Sequence, residues 1–225
     1  MSSLFDQSEL KDLIEKVERG ERLDFNAGIR MINSQDILAL GYMANLVRER
    51  KNGNRTYFKV TGHMNYPNIY SDLGDSDDLS EIHLMGKMNI SEERYLEIQE
   101  AAHRTGMFTN ATMFYGSDES TEERIEYLLK LRELQDRTGG FLSFMPHSYE
   151  NSTGFEDLKI LSVSRILLDN VNHIKAFCNV LGPKLTQVSL NFGVDDLDNH
   201  LMTKQALIHL IEKARREAVE RAGKE

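Results

Sequence analysis

Cysteine is nearly absent from this sequence, which has only Cys178 among its 225 residues. One thiol excludes an intrachain disulfide, and it excludes any site within a single chain that needs several cysteine ligands. Long hydrophobic runs are absent as well, since no apolar stretch approaches the roughly 18 residues that indicate a membrane span. The amino terminus lacks the basic start and the apolar stretch of a signal peptide. We therefore expect a soluble, cytoplasmic protein with no membrane partner.

An excess of positive charge is also missing. The formal net charge is −9, and lysine and arginine are scattered except in two stretches where they alternate with glutamate. This pattern argues against nucleic acid as a partner. With 40% hydrophobic and 28% charged residues, the composition is ordinary for a soluble globular protein. The chain is long enough for one domain with a sizeable core.

Apolar and β-prone runs alternate with helical patterns along most of the chain. The predicted strands are 56–61, 107–116, 139–149, 173–182 and 186–196. The predicted helices are 8–19, 34–51, 91–105, 121–137, 156–170 and 201–222. Alternation of this kind predicts a parallel sheet with helical crossovers.

The length of the chain limits how complete this parallel sheet can be. A strand and its helix need about 30 residues, so residues 56–225 hold only about five or six such units. A complete eightfold barrel takes about 250 residues. We therefore predict an α/β fold in which an amino-terminal helical extension, residues 1–55, precedes a partial TIM-type barrel of about five parallel strands, residues 56–225.

Several stretches of the sequence closely resemble aminofutalosine synthase, also called aminodeoxyfutalosine synthase, a radical S-adenosylmethionine (SAM) family of menaquinone biosynthesis. The stretches are HMNYPNI (63–69), ATMFYG (111–116), LRELQDRTGGF (131–141), LDNVNHIKA (168–176) and FGVDDLD (192–198). They occur in the family's order and at about its spacing. The related cyclic dehypoxanthine futalosine synthase and the cofactor F420 precursor synthases share some of these runs, but the last two stretches look closest to aminofutalosine synthase.

The resemblance implies a specific reaction. A 5'-deoxyadenosyl radical, formed from SAM at a [4Fe-4S] cluster, adds to the enol ether of 3-[(1-carboxyvinyl)oxy]benzoate. In the family, a CxxxCxxC motif supplies three thiolates to the cluster. Here the first of these positions corresponds to Tyr70 and the other two are absent, together with barrel strands two, three and most of four. We therefore expect no cofactor and no catalytic residue in this chain, and we expect the single chain to be inactive.

An alternative hypothesis is a non-catalytic binding or scaffold protein. In a closed barrel strand eight neighbours strand one, so strands five to eight and strand one form an unbroken arc. The loss of strands two to four leaves this arc with two exposed sheet edges. We therefore expect self-association, or a partner that covers the edges.

Polar residues near the mouth of the predicted barrel are candidates for weak binding of a small aromatic carboxylate or a nucleoside. They are His63, Asn65, Asn68, Thr112, Tyr115, Glu119, Thr138, Asp195 and Asp196. A purely structural role is an alternative to ligand binding for these residues. The first three lie in a turn sequence, Thr138 ends a helix, and the two aspartates, predicted at the carboxyl end of strand eight, can cap the next helix. No histidines pair at HxH or HxxxH spacing, so we expect no metal site.

Overall fold

The computed structural model describes residues 3–60, 91–116, 119–148, 152–199 and 202–221. A short 3-10 turn, Ser3–Phe5, begins the described chain. None of the helices in these ranges has both the length and the apolar character that a segment crossing a bilayer needs.

Three helices precede the first strand. They are α1 (Lys11–Glu18), α2 (Phe25–Asn33) and α3 (Ile37–Asn52). Asp24 begins α2 and Asp36 begins α3, because each carboxylate accepts a hydrogen bond from the backbone amide three residues later. Apolar residues of all three helices share one core cluster with the strands. The predicted division of the chain near residue 55 stays a prediction.

Six strands form one parallel sheet in the order β2-β3-β4-β5-β1-β6. The strands are β1 (Arg55–Val60), β2 (Thr109–Tyr115), β3 (Phe141–Ser148), β4 (His173–Phe177), β5 (Asp196–Asn199) and β6 (Glu217–Glu220). The helices among them are α4 (Glu92–Arg104), α5 (Thr121–Thr138), α6 (Gly154–Leu167), α7 (Cys178–Ser189, kinked at Gly182) and α8 (Lys204–Lys213). The predicted α/β fold with a parallel sheet is confirmed.

The strand order also agrees with the predicted arc. β2, β3, β4, β5 and β1 follow one another in the sheet, as strands five to eight and strand one do in a closed barrel. β6 is an additional strand that the sequence does not predict, and it pairs in parallel with the other side of β1. The carboxyl-terminal strand therefore lies next to strand one, where a complete barrel has strand two.

Three predicted elements differ from the structure. The sequence predicts a strand over 173–182, but β4 ends at Phe177 and Cys178 begins α7. The sequence predicts a strand over 186–196, but α7 continues to Ser189 and β5 begins only at Asp196. A short apolar run does not by itself distinguish a buried helix from a buried strand. The sequence also predicts a helix over 201–222, whereas α8 ends at Lys213 and residues 217–220 form β6. Backbone pairing with β1 outweighs the helix propensity of that stretch.

Two tyrosines pair with the backbone of one residue on the outer edge of β2. The backbone N–H of Thr112 donates to the hydroxyl of Tyr95 at 3.2 Å, and the Tyr127 hydroxyl donates to the carbonyl of Thr112 at 2.8 Å. Tyr95 lies on α4 and Tyr127 on α5, and both are buried. Because these hydroxyls take up the backbone groups of Thr112, a further strand can pair with β2 at that residue only by displacing them.

Candidate functional site

The two faces of the sheet differ in polarity. Strand residues that point toward the helices belong to the main core cluster, and they are Phe58, Ala111, Met113, Phe144, Ile174, Ala176 and Leu197. The alternate residues form the opposite face, which we call the inner face because it corresponds to the interior of a barrel. Its members include Tyr57, Lys59, Asn110, Thr112, Phe114, Ser143, Met145, His147, His173, Lys175, Phe177, Asp196 and Asp198. Branched apolar residues dominate a packed barrel interior, so this polar lining indicates a site.

Two carboxylates and two cations meet on the inner face. Lys175 Nζ lies 3.2 Å from a carboxylate oxygen of Asp198 and 4.0 Å from one of Asp196. Arg221, just after β6, places Nε 3.0 Å from Asp196 Oδ1 and donates a hydrogen bond to Asp198. We call these four residues the ion cluster. The side chains of Lys175 and Asp196 are 4% and 3% exposed, so the centre of the ion cluster is removed from water.

Asp196 is the least completely paired member of the ion cluster. Its buried Oδ1 accepts no hydrogen bond from a described residue, although Arg221 Nε lies within ion-pair distance. Burial raises the pKa of Asp196 to about 6, against the opposing effect of the Lys175 and Arg221 charges. A carboxyl group with this pKa is able to take up or release a proton near neutral pH.

An aromatic stack lies on the same face, at the carboxyl ends of β2, β3 and β4. The His147 ring lies between the rings of Phe114 and Phe177, with centroid separations of 5.2 and 5.1 Å. Lys59, on β1, is in register with Asp198, which is in turn in register with Phe177. No ion pair joins Lys59 to a described residue. The inner face thus combines planar rings with charged groups, a combination typical of small-molecule sites.

Asp195 does not lie where the sequence predicts. Because β5 begins at the next residue, Asp195 lies at the amino end of this strand and not at its carboxyl end. The predicted position at the carboxyl end of the strand is therefore wrong for Asp195, and it is also wrong for Asp196, which is the first residue of β5. Asp195 is fully buried, forms an ion pair with Arg165, accepts a hydrogen bond from Asn52 at 2.7 Å and pairs with His173 Nδ1 at 2.6 Å. These contacts connect α3, α6 and β4, which is a structural role.

The remaining candidates near β2 have different environments. Thr112 lies on the inner face, and its role in binding stays a prediction. Tyr115 points toward the helices instead, and its hydroxyl donates to the buried carboxylate of Asp157 at 2.6 Å. Glu119 accepts a hydrogen bond from Arg124 Nε at 2.9 Å and one from a backbone amide at the end of β2. Both contacts of Glu119 stabilise the connection between β2 and α5.

Thr138 lies at the opposite end of the sheet from the carboxyl-end candidates. It ends α5 immediately before β3 begins, so it belongs to the amino side of the strands. Its hydroxyl pairs with His103 Nδ1 at 2.7 Å and donates to the carbonyl of Leu134 at 2.8 Å. These hydrogen bonds join Thr138 to α4 and α5, and none of them reaches Asp196.

The sequence analysis misses Lys175 and Arg221. Strand alternation within HIKAF could have placed Lys175 on a polar face, but Arg221 lies in a stretch with a helical pattern and offers no such signal. The candidates His63, Asn65 and Asn68 lie outside the described residues.

The described residues contain no group of three or more His, Cys, Asp or Glu side chains placed to hold a metal ion. Cys178, the one cysteine of the chain, is buried at the start of α7. Burial raises the pKa of its thiol to about 12. The thiol is therefore protonated at neutral pH, whereas a metal ligand is a thiolate.

Similar sequences come from the futalosine pathway. The chain is 28% identical to aminodeoxyfutalosine synthase of Thermus thermophilus over 319 residues, which covers 88% of this chain and 86% of the relative. It is 37% identical to cyclic dehypoxanthine futalosine synthase of Streptomyces coelicolor over 156 residues, 59% of this chain and 39% of the relative. The first alignment is longer than the chain, so it contains a long gap on this chain's side. No protein-family model matches the chain.

A solved structure with a similar fold is the FeFe-hydrogenase maturase HydG from Carboxydothermus hydrogenoformans. The TM-score is 0.59 at 11% sequence identity, and the similarity covers 92% of this chain and 77% of HydG. At such low identity the similarity concerns the fold alone. It confirms the prediction of a TIM-type barrel architecture in partial form.

The expectation that no cofactor belongs to this chain is wrong. The proteins to which the chain is homologous are radical SAM enzymes, a class that needs SAM and an iron-sulfur cluster. The cysteine ligands of this chain do not fit such a cluster. Three thiolates hold it, whereas this chain has one thiol, which is buried and protonated. The relatives therefore need a cluster for which this chain does not supply the cysteine ligands.

Proposed function

Because the chain is homologous to aminodeoxyfutalosine synthases, we propose that it derives from such an enzyme of the futalosine route to menaquinone and does not complete the family reaction as a single chain. The number of cysteine ligands is the observation that supports this proposal most directly. The reaction that the resemblance implies needs three thiolates to anchor the cluster that reduces SAM. This chain has one cysteine, and its thiol is buried and protonated.

The reduced sheet supports the proposal. The arc from β2 to β1 keeps the strand order of one side of a barrel, and β6 pairs with β1 beside it. The alignment gap agrees with the absence of a central part of the relatives. The chain thus retains a packed sheet but lacks the cysteine motif. We expect this combination in a protein that derives from the enzyme and no longer performs its complete reaction.

The inner face supports weak binding of a small aromatic carboxylate. The rings of Phe114, His147 and Phe177 supply a planar wall. Lys59 supplies an ammonium group that forms no ion pair with a described residue, and a ligand carboxylate is a suitable partner for it. We expect the affinity to be low, because a face that lacks the opposing strands of the barrel encloses less of a ligand.

Anaerobic assays of the purified chain test the loss of activity. After iron-sulfur reconstitution and reduction in the presence of SAM and 3-[(1-carboxyvinyl)oxy]benzoate, we expect neither 5'-deoxyadenosine nor aminofutalosine product. A complete aminodeoxyfutalosine synthase, treated in the same way, is the positive control. Formation of either product by this chain alone would overturn the proposal.

Calorimetric titration with the same carboxylate tests the binding part of the proposal separately. We expect saturable binding to the wild-type chain and weaker binding to Lys59→Ala, because the variant lacks the ammonium group on the inner face. Lys213→Ala is the matched control, since Lys213 is an exposed lysine at the end of α8. Equal affinities for all three proteins would exclude the assigned contact.

A second candidate function is a scaffold that pairs with another chain. β6 is the outermost strand at its end of the sheet, and among the described strands only β1 pairs with it. An unpaired edge is a template for a further strand. Sedimentation over a wide concentration range tests the self-association that this candidate includes, and a monomer at every concentration would contradict it.

A further inference from the structure

We propose that Asp196 and Asp198 form a binding subsite for the guanidinium or ammonium group of a ligand, and that Arg221 occupies this subsite as an internal substitute. The proposal goes beyond the function proposed above and does not depend on the family reaction. It rests on the geometry of the ion cluster and on the way in which β6 is held.

The first observation is an incompletely satisfied carboxylate pair. Asp196 is 2% exposed and Asp198 is 8% exposed. Lys175 lies nearer to Asp198, at 3.2 Å, than to Asp196, at 4.0 Å. Oδ1 of Asp196 is buried and accepts no hydrogen bond from a described residue. Buried carboxylate oxygens are normally hydrogen-bonded, so this atom marks a place for a better donor.

The second observation is that Arg221 fits this place imperfectly. Its Nε lies 3.0 Å from Asp196 Oδ1, yet the N–H makes no hydrogen bond there. The Arg221 side chain is 30% exposed, in contrast with the carboxylates that it faces. A ligand whose N–H groups align with both carboxylates would therefore pair with them more completely than Arg221 does.

The third observation is that polar contacts hold the strand before Arg221. Glu217 and Glu220 are exposed, and the two residues between them are only half-buried. Lys204 forms an exposed ion pair with Glu220 at 2.5 Å. The turn that leads into β6 passes through Arg215 with a φ of 60°, a conformation that residues other than glycine seldom adopt. Apart from Ala218, which packs against the main core, little apolar burial opposes the displacement of this strand from β1.

The charges of the ion cluster define the class of ligand. Two carboxylates facing the single ammonium of Lys175 leave one negative charge, which Arg221 balances. Lys59 lies on the adjacent strand in register with Asp198 but forms no ion pair with it. A cation with several N–H donors matches both the charge and the Asp196 oxygen that accepts no hydrogen bond, whereas an anion at this position would face two buried carboxylates.

The test uses ethylguanidinium as the probe and Arg221→Ala as the protein. Alanine keeps the backbone N–H that residue 221 donates to the Phe58 carbonyl at 2.9 Å, so the register of β6 does not depend on the deleted side chain. The titration is followed by the backbone amide NMR signals of β5, Asp196–Asn199. Arg94→Ala is the matched control, because Arg94 is an exposed arginine on α4 whose side chain is 63% exposed.

We expect saturable shifts of the β5 signals in Arg221→Ala, and affinities at least about tenfold weaker in the wild type and in Arg94→Ala, since a tethered group competes at a high effective concentration. Asp196→Asn combined with Arg221→Ala should lose the binding. If Arg221→Ala does not fold, Arg221→Gln provides the same comparison with an uncharged side chain that is shorter than that of arginine. Absence of saturable binding in the folded variant, or equal binding in the wild type, would overturn the proposal.

Discussion

The imidazole of His103 lies so close to the backbone of Gly140 that a Cβ atom at residue 140 would stand 2.2 Å from the ring. The same ring meets Phe141 edge-on, with centroids 4.7 Å apart. Both ring nitrogens pair with threonine hydroxyls, Nδ1 with Thr138 at 2.7 Å and Nε2 with Thr109 at 2.8 Å. This contact fixes the end of α4 against the starts of β2 and β3.

Gly140→Ala should destabilise the protein by about 1–3 kcal/mol, because the added methyl group forces a packed ring out of its position. Unfolding in urea, followed by circular dichroism, measures the change. Gly154→Ala is the matched control. There a Cβ would meet only the flexible end of Leu185 at 3.3 Å, and we expect little change. Similar losses in both variants would contradict the assigned contact.

The contribution of His103 to the stability of the fold should fall as the pH decreases below about 6.5. Burial lowers the pKa of His103 from its ordinary value of 6.5, so the unfolded chain binds the proton more readily than the folded chain. The contribution of His103 is then complete above the unfolded pKa and is lost as the pH falls toward the folded pKa. Urea unfolding at pH values on either side of this window should show a larger loss for the wild type than for His103→Gln. An equal loss would assign the effect to other groups.

Asp196→Asn should stabilise the protein at pH 7 by on the order of 1–3 kcal/mol. Burial raises the pKa of Asp196 from 3.8 to about 6, so the folded chain binds the proton more readily than the unfolded chain. Its contribution is present below pH 3.8 and is lost as the pH rises through 6. Asp198→Asn is the control, because Asp198 pairs with both Lys175 and Arg221, and it should destabilise the protein. Chemical unfolding at pH 7 distinguishes the two directions.

Asp195→Asn should destabilise the protein by about 3–5 kcal/mol, because it leaves the guanidinium of Arg165 buried without a charged partner. Asp12→Asn provides the comparison. Asp12 pairs with Arg30 at 2.7 Å, but both side chains are about half exposed, and such pairs contribute at most about 1 kcal/mol. Thermal unfolding of the two variants should therefore differ widely, and equal effects would show that burial of the Asp195 pair is unimportant.

Helix α2 shows why local patterns miss some elements. The segment FNAGIRMIN contains Gly28, which is unfavourable within a helix by about 1 kcal/mol. A Cβ atom at Gly28 would come within 2.6 Å of Ile125 and 3.3 Å of Leu167. The glycine thus allows a close approach of α2 to α5 and α6. The benefit of a glycine at this position, a close contact between helices, is visible only in the packed structure.

The site residues show the same limit. Asp196 is predicted as a candidate because its expected position is the carboxyl end of a strand. It lies instead at the amino end of β5, but on the inner face. Its partner Arg221 could not be predicted, because the pairing depends on β6 taking its place beside β1. Thr138 and Asp195 both follow patterns typical of strand or helix ends, but the sequence does not show on which side of the sheet those ends lie.

The sequence by itself determined the features that depend on residue counts and local periodicity. One cysteine limits the possible metal ligands, and the alternation of strands and helices predicts a parallel sheet. The arc of a barrel is what the family resemblance implies. The tertiary structure decided the features that depend on which distant segments meet. The position of β6 beside β1, the burial of Asp196 and the presence of Arg221 against it all follow from strand order. Backbone pairing and burial energies of that kind are set by the assembled sheet and are invisible in any single segment.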